Sequence, residues 1–198
     1  EIGVRLVGSE MCIRDRSIRW RISISLNFLK GFSNMQHTIS VLMNNHFGVL
    51  SRVSGLFSGR GFNIESLNVA ETSDPEISRM TIVTVGDDAK IEQITKQLNK
   101  LVDIIKVVDL TEENFVDREL VLVKMNAEAR VREEMLRVVD LFRAKVVDVS
   151  SSTYTIEITG DEGKISSFLE LLGPMGIKEI VRSGRIAIGR GNKSLTTN

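Results

Sequence analysis

The stretch Thr38-Ile39-Ser40-Val41-Leu42-Met43-Asn44-Asn45-His46-Phe47-Gly48-Val49-Leu50-Ser51-Arg52-Val53-Ser54-Gly55-Leu56-Phe57 carries two hydrophobic periods in succession. Ile39, Val41 and Met43 alternate with other residues, the period of a strand with one buried face. After Gly48 the apolar positions are Val49, Leu50, Val53, Leu56 and Phe57, which fall on one stripe of a helix. A strand, a tight turn and a helix are therefore expected in quick succession. Gly59 and Gly61 around Arg60 supply the stop, because glycine enters the left-handed conformation without a Cβ penalty.

Working outward, residues 63–72 read as a second strand, with Ile64 and the pair Leu67/Val69 marking opposite faces. Ser73-Asp74-Pro75-Glu76 is turn chemistry, and residues 77–85 return as a third strand. Asp87 or Asp88 can cap a second helix with the stripe Ile91, Ile94, Leu98 and Leu101. Residues 104–110 close the unit. The order β-α-β-β-α-β predicts a four-stranded antiparallel sheet with both helices on one side.

The order then repeats. Residues 119–125 read as a strand, and Val131, Met135, Val138, Val139 and Phe142 make a helical stripe. Residues 146–149 and 154–158 form a strand pair around Ser150-Ser151-Ser152. Ile165, Phe168, Leu169 and Leu172 form another stripe that Gly173-Pro174 ends. Residues 177–181 and 185–188 supply one last strand or a short pair. The expected class is α+β, with two ferredoxin-like βαββαβ domains in tandem over residues 35–110 and 119–198. Residues 111–118, charged and poor in apolar groups, read as a linker. Each unit is small for an independent core. Each sheet also keeps one face that its own helices leave uncovered. Both features favour a homodimer.

Composition sets the outer bounds. The chain has 198 residues, with 26 basic and 26 acidic groups and a hydrophobic fraction of 42%. Neutral charge gives no support to nucleic-acid binding. One Cys excludes an internal disulfide and a Cys-pair metal site. No apolar run approaches the roughly 18 residues that suggest a membrane span. These features predict a reduced, cytoplasmic protein without membrane or nucleic-acid partners.

Residues 1–34 read differently. They carry six Arg/Lys against three acids, leaving 20 against 23 in the remainder. They also hold Cys12 and Trp20, and their apolar residues keep no sustained period. A secretory signal needs an unbroken apolar stretch that is missing here, and Glu1, Glu10 and Asp15 are unwelcome in a transit peptide. The run Val7-Gly8-Ser9-Glu10-Met11-Cys12-Ile13-Arg14-Asp15-Arg16 resembles translated sequencing-adapter sequence. The expectation is a non-native or disordered leader, with the natural protein starting at Met35.

The chain offers little chemistry of its own. His37 and His46 stand apart from other ligand types, so a metal or Cys–His centre is not expected. His37 is expected at a strand start facing water, and His46 in a solvated loop. No nucleophile elbow and no phosphate loop occur. The glycines of the run from Gly184 to Gly191 lack a fingerprint spacing and are read as a terminal strand with a basic turn. The pointed feature is Asn45-His46-Phe47-Gly48-Val49-Leu50. Where a helix starts, several amides lack intrahelical partners, and a carboxylate is a natural guest. Gly48 lets the backbone approach such a guest. Asn45 could accept from an ammonium or donate to a carboxylate. Alternatively, Asn45 and Gly48 simply shape the turn. Asn63-Ile64, after the glycine pair, is a second candidate with the same alternative.

The segments Ile39-Ser40-Val41-Leu42, Asn45 to Val53 and Gly55 to Leu67 closely resemble an ACT domain. More narrowly, they resemble the regulatory (small) subunit of acetolactate synthase. The resemblance continues through Ser78-Arg79-Met80-Thr81-Ile82 and Gln97 to Val102. It resumes at Arg118-Glu119-Leu120-Val121-Leu122-Val123-Lys124 and ends near Arg182-Ser183-Gly184. It implies a subunit without a catalytic residue, metal or cofactor of its own. Thiamine diphosphate, Mg and FAD are then expected in a large catalytic subunit that condenses 2-keto acids. It further implies that this chain activates that subunit and confers feedback inhibition by valine or another branched-chain amino acid. Carried over, Asn45, Gly48 and Val49 would face the effector from one protomer, and Asn63 and Ile64 from the other. Ser51 and Ala70 would be positions of feedback sensitivity. One departure is Phe47, where the family commonly has a small residue or Pro. The competing readings are an amino-acid-responsive transcription regulator and a small ferredoxin-like enzyme. The first needs a basic helix-turn-helix, which is not visible after Met35. The second needs an acid–base constellation that is missing.

Overall fold

A computed structural model describes residues 35–126 and 128–196. The leader readings, including Cys12 and Trp20, lie outside the described residues. In chain order the elements are β1 (Met35–Asn44), α1 (Val49–Ser58), β2 (Ser66–Glu71), β3 (Ile77–Gly86), α2 (Asp88–Leu98) and β4 (Ile104–Asp109). The second half contains β5 (Phe115–Asn126), α3 (Ala129–Leu141), β6 (Lys145–Val149), β7 (Thr153–Gly160), α4 (Glu162–Leu172), β8 (Ile177–Arg182) and β9 (Ile186–Gly189). The strand order β2-β3-β1-β4 of the first sheet recurs as β6-β7-β5-β8 in the second. All these pairings are antiparallel. Two α+β units of the expected ferredoxin-like type result.

Alternation in the strands and stripes on the helices build one core in each half. In the first, Ile39, Val41, Met80 and Ile82 of the sheet meet Val53, Phe57, Ile91, Ile94 and Leu98 of the helices. In the second, Val121, Val123, Ile156 and Ile158 meet Met135, Val139, Ile165, Phe168 and Leu172. Asp87 and Asp161 cap α2 and α4 by accepting from the Lys90 and Lys164 amides at 2.9 and 2.8 Å.

Four readings are corrected. β5 begins at Phe115, so residues 115–118 of the expected linker are strand. Their partner is β9, whose Ile188 and Ile186 sit opposite Val116 and Arg118. A pairing partner distant in sequence overrides their charged composition. The second strand starts at Ser66; ahead of it, Asn63 and Glu65 meet β3 through single bonds, from the Thr84 hydroxyl to the Asn63 carbonyl and from the Glu65 amide to the Val83 carbonyl. Gly59 ends α1 in right-handed geometry, and Gly61 takes the positive φ, 68°.

The fourth correction concerns His37, which is buried rather than wet. It shares the helix-facing side of β1 with Ile39, and its Nδ1 lies 3.1 Å from Asp109 Oδ2 on neighbouring β4.

The helix-free face of the first sheet is also covered. Thr38, Ser40 and Leu42 on that face are buried. Residues 183–189 cross it: Asn68 Nδ2 donates to the Ser183 carbonyl at 3.4 Å, and Arg79 Nη2 to the Ala187 carbonyl at 2.9 Å. Arg185 donates from its amide to Ser66 Oγ at 3.0 Å and from Nη1 to Thr38 Oγ1 at 3.2 Å. The same side chain pairs with Asp117 at 3.4 Å and with Glu162. One arginine thus bonds to both halves.

Candidate functional site

The turn between β1 and α1 is braced on two sides. The Asn45 amide donates to the Glu76 carbonyl at 2.7 Å, and Asn45 Nδ2 to the Pro75 carbonyl at 2.9 Å, which ties the turn to the β2–β3 connection. Asn44 donates to the Asp103 carbonyl at 2.9 Å, and Arg52 pairs with the Asp103 carboxylate at 2.7 Å. Gly48 occupies the left-handed region at φ 85° and ψ −7°, where an L side chain is strained.

α1 starts directly after it. No side chain caps this start and no acid stands in its first turn. The Arg52 amide donates to the Gly48 carbonyl at 3.0 Å. The amides of Leu50 and Ser51 precede this first helical bond and are available to a guest. Partial positive charge is thus exposed beside a residue that has no Cβ.

The other expected residues take varied positions. The Val49 side chain is 2% exposed and belongs to the core, so only its main chain can face a ligand. Ser51 is exposed on the first turn of α1. Phe47 is fully exposed, its ring turned out to solvent rather than into the turn. Asn63 donates to Glu65 Oε1 at 2.6 Å, and its carbonyl accepts from Thr84 Oγ1 at 2.6 Å. Ile64 packs half-buried against the first core. Ala70 is exposed on β2, opposite Arg79 in the register and on the face away from the helices. His46 is in the exposed loop, 3.9 Å from Glu76.

Within one chain the two candidate stretches do not meet. Asn45 is bound to Glu76 just before β3, whereas Asn63 is bound to Thr84 near the strand's far end. Eight strand residues span roughly 26 Å. A site using both needs a second protomer.

The residue types also limit the chemistry. Among the described residues no group of three or more His, Cys, Asp or Glu could hold a metal ion. No described helix is long and apolar enough to cross a membrane. Burial lowers the pKa of the Arg79 guanidinium from its ordinary value, while the hydrogen bonds that Arg182 donates to the Glu119 carboxylate raise its own. Sequence reading assigned no role to Arg79 or Arg185. The available signal was parity: Arg79 is a lone charge on β3, two positions from core Met80's neighbour Thr81, on the face the helices leave open.

Comparison with known proteins decides the family. Residues 118–191 match the family described as the small subunit of acetolactate synthase, and residues 39–106 match the AHAS small subunit-like ACT domain. The chain belongs to the acetolactate synthase small-subunit family. It is 52% identical over 159 residues to a probable acetolactate synthase small subunit of Archaeoglobus fulgidus, covering 80% of this chain and 99% of that one. It is 53% identical over 156 residues to the acetolactate synthase small subunit of Aquifex aeolicus, covering 78% and 81%. The crystal structure of an acetolactate synthase small subunit from Thermotoga maritima superposes with a TM-score of 0.73 at 41% identity, covering 80% and 99%.

Proposed function

We propose that this chain is the regulatory subunit of an acetolactate synthase. It activates a large catalytic subunit and confers feedback inhibition by valine or a related branched-chain amino acid. The catalytic partner carries thiamine diphosphate, Mg and FAD, and this chain contributes no catalytic group. The assembly is cytoplasmic.

The observation that supports an amino-acid effector is the uncapped, acid-free start of α1 beside left-handed Gly48. The effector's carboxylate takes the Leu50 and Ser51 amides, and Asn45, held by Pro75, lies beside its ammonium. Topology supports a homodimeric site. β2 is an edge strand. Antiparallel pairing of β2 with its copy brings the Ser66 end of one strand to the Glu71 end of the other. Asn63 and Ile64 of one protomer then approach Asn45, Gly48 and Val49 of its partner, closing the gap that a single chain leaves open.

Inhibition follows as a coupling free energy. The effector favours the dimer arrangement that supports the large subunit less well, and only to the extent that it binds that arrangement better. A coupling of about 1–3 kcal/mol suffices to change activity several-fold. The test is reconstitution with the cognate large subunit, with activity assayed with and without valine, leucine and isoleucine. Stimulation that valine reverses is the expected result. Absence of stimulation would end the regulatory reading, and stimulation indifferent to all three amino acids would end the effector reading.

A further inference from the structure

A second groove lies on the opposite face of the first sheet, between β2, β3, β5 and β9, with a volume of about 460 Å³. Its walls include Ala70, Val116, Ile186 and Ile188, and Arg79 and Arg118 line it as well. Arg79 is half-buried, and two of its N–H bonds are used, by Ser40 Oγ at 3.1 Å and the Ala187 carbonyl at 2.9 Å. Among the described residues no carboxylate lies within ion-pair distance of Arg79 or Arg118. Arg118 Nη1 reaches only its neighbour's carbonyl, that of Asp117, at 2.6 Å.

A partly desolvated cation without a counter-charge is costly, and desolvation already lowers the pKa of Arg79. The guanidinium fork matches the two oxygens of a carboxylate. The aliphatic walls on either side suit a short branched chain. We infer that this groove binds a small aliphatic carboxylate, its charge on Arg79 and Arg118 and its tail on Ile186 and Ile188. The groove is separate from the Gly48 turn, so the inference does not depend on the effector site proposed above. Glu71 at the rim distinguishes two sources of the same chemistry: an amino acid can place its ammonium there, a simple fatty or keto acid cannot.

The test is methyl NMR of the full chain labelled at isoleucine δ1, titrated with 3-methylbutanoate and with valine. At least one of them is expected to shift the Ile186 and Ile188 signals, and to do so equally in Gly48→Asp, which blocks the turn. Arg118→Gln, a change on an exposed strand residue, is expected to raise Kd about ten-fold through loss of a charge-assisted bond. Arg79→Gln is expected to raise it at least as much, with Arg118→Gln deciding if that variant folds poorly. Tighter binding of valine assigns the site to amino acids, and tighter binding of 3-methylbutanoate assigns it to plain carboxylates. Unmoved Ile186 and Ile188 signals with both probes, loss of the shifts in Gly48→Asp, or an unchanged Kd in Arg118→Gln would overturn the inference.

Discussion

Gly184 and Ser66 touch so closely that a Cβ on Gly184 would stand 2.7 Å from Ser66 Oγ. Gly184 also has a φ of 81°, so space and backbone both demand glycine there. This contact opens the crossing of residues 183–189 over the first sheet. Gly184→Ala should cost about 1–3 kcal/mol. Thermal denaturation should show a fall in Tm of several degrees. Ser66→Ala in the same chain should recover part of it by removing the clash while leaving the strained φ. A Tm unaffected by Gly184→Ala would show that the crossing is loose.

Arg185 holds that crossing by charge. Its guanidinium reaches Thr38 on one half and Asp117 and Glu162 on the other. Arg185→Met keeps the stem and removes the charge, leaving Asp117 without its partner. Amide exchange in β9 should speed up several-fold while exchange in β1 and β7 stays slow. Unchanged β9 protection would mean the strand is held by its ladder with β5 alone.

Gly48 separates backbone from charge. Asparagine tolerates the left-handed region better than most residues. Gly48→Asn should therefore keep the turn and weaken inhibition only modestly. Gly48→Asp puts a carboxylate where the effector's own must sit, and should abolish valine inhibition while leaving activation of the large subunit intact. Equal inhibition in the Asn and Asp variants would refute the site.

Asn45 Nδ2 donates to the Pro75 carbonyl at 2.9 Å. Asn45→Ala removes one exposed hydrogen bond and should lower stability by about 0.5–1.5 kcal/mol. If the amide oxygen also meets an ammonium, the calorimetric Kd for valine should rise about ten-fold. A purely structural role predicts the stability loss with Kd unchanged.

The two cores should fail separately. Phe57 is buried in the first and Phe168 in the second, where it packs on Phe142 at a centroid distance of 5.4 Å. Either Phe→Ala change should cost about 3–5 kcal/mol in its own half. Because polar contacts join the halves, Phe57→Ala should raise exchange in β1 and β3 and spare β5 and β7. Uniform loss of protection would mean that the halves unfold as one unit.

Element type and order were legible because alternation and helical stripes are local properties. The pattern from Ile39 to Phe57 specifies a strand, a turn at Gly48 and a helix whose apolar side must find the strand's apolar side. The repeat of that pattern specifies two cores. The unpartnered amides ahead of Arg52 also follow from where the helix begins. The same local reading failed wherever a distant residue decided the outcome. Composition made residues 115–118 a linker, and only β9 made them strand. His37 looked solvated until Asp109 was placed beside it. Arg79, Gly184 and Arg185 held no visible role, since their partners Ala187, Ser66 and Thr38 lie 108, 118 and 147 positions away. Sequence alone thus determined the periods, the start of α2 and the family resemblance, which depend on neighbours along the chain. Tertiary structure alone decided which sheet face is covered, which cation is left without a counter-charge, and that Asn45 and Asn63 stand at opposite ends of one sheet. Those are properties of distance in space, which hydrophobic periodicity does not encode.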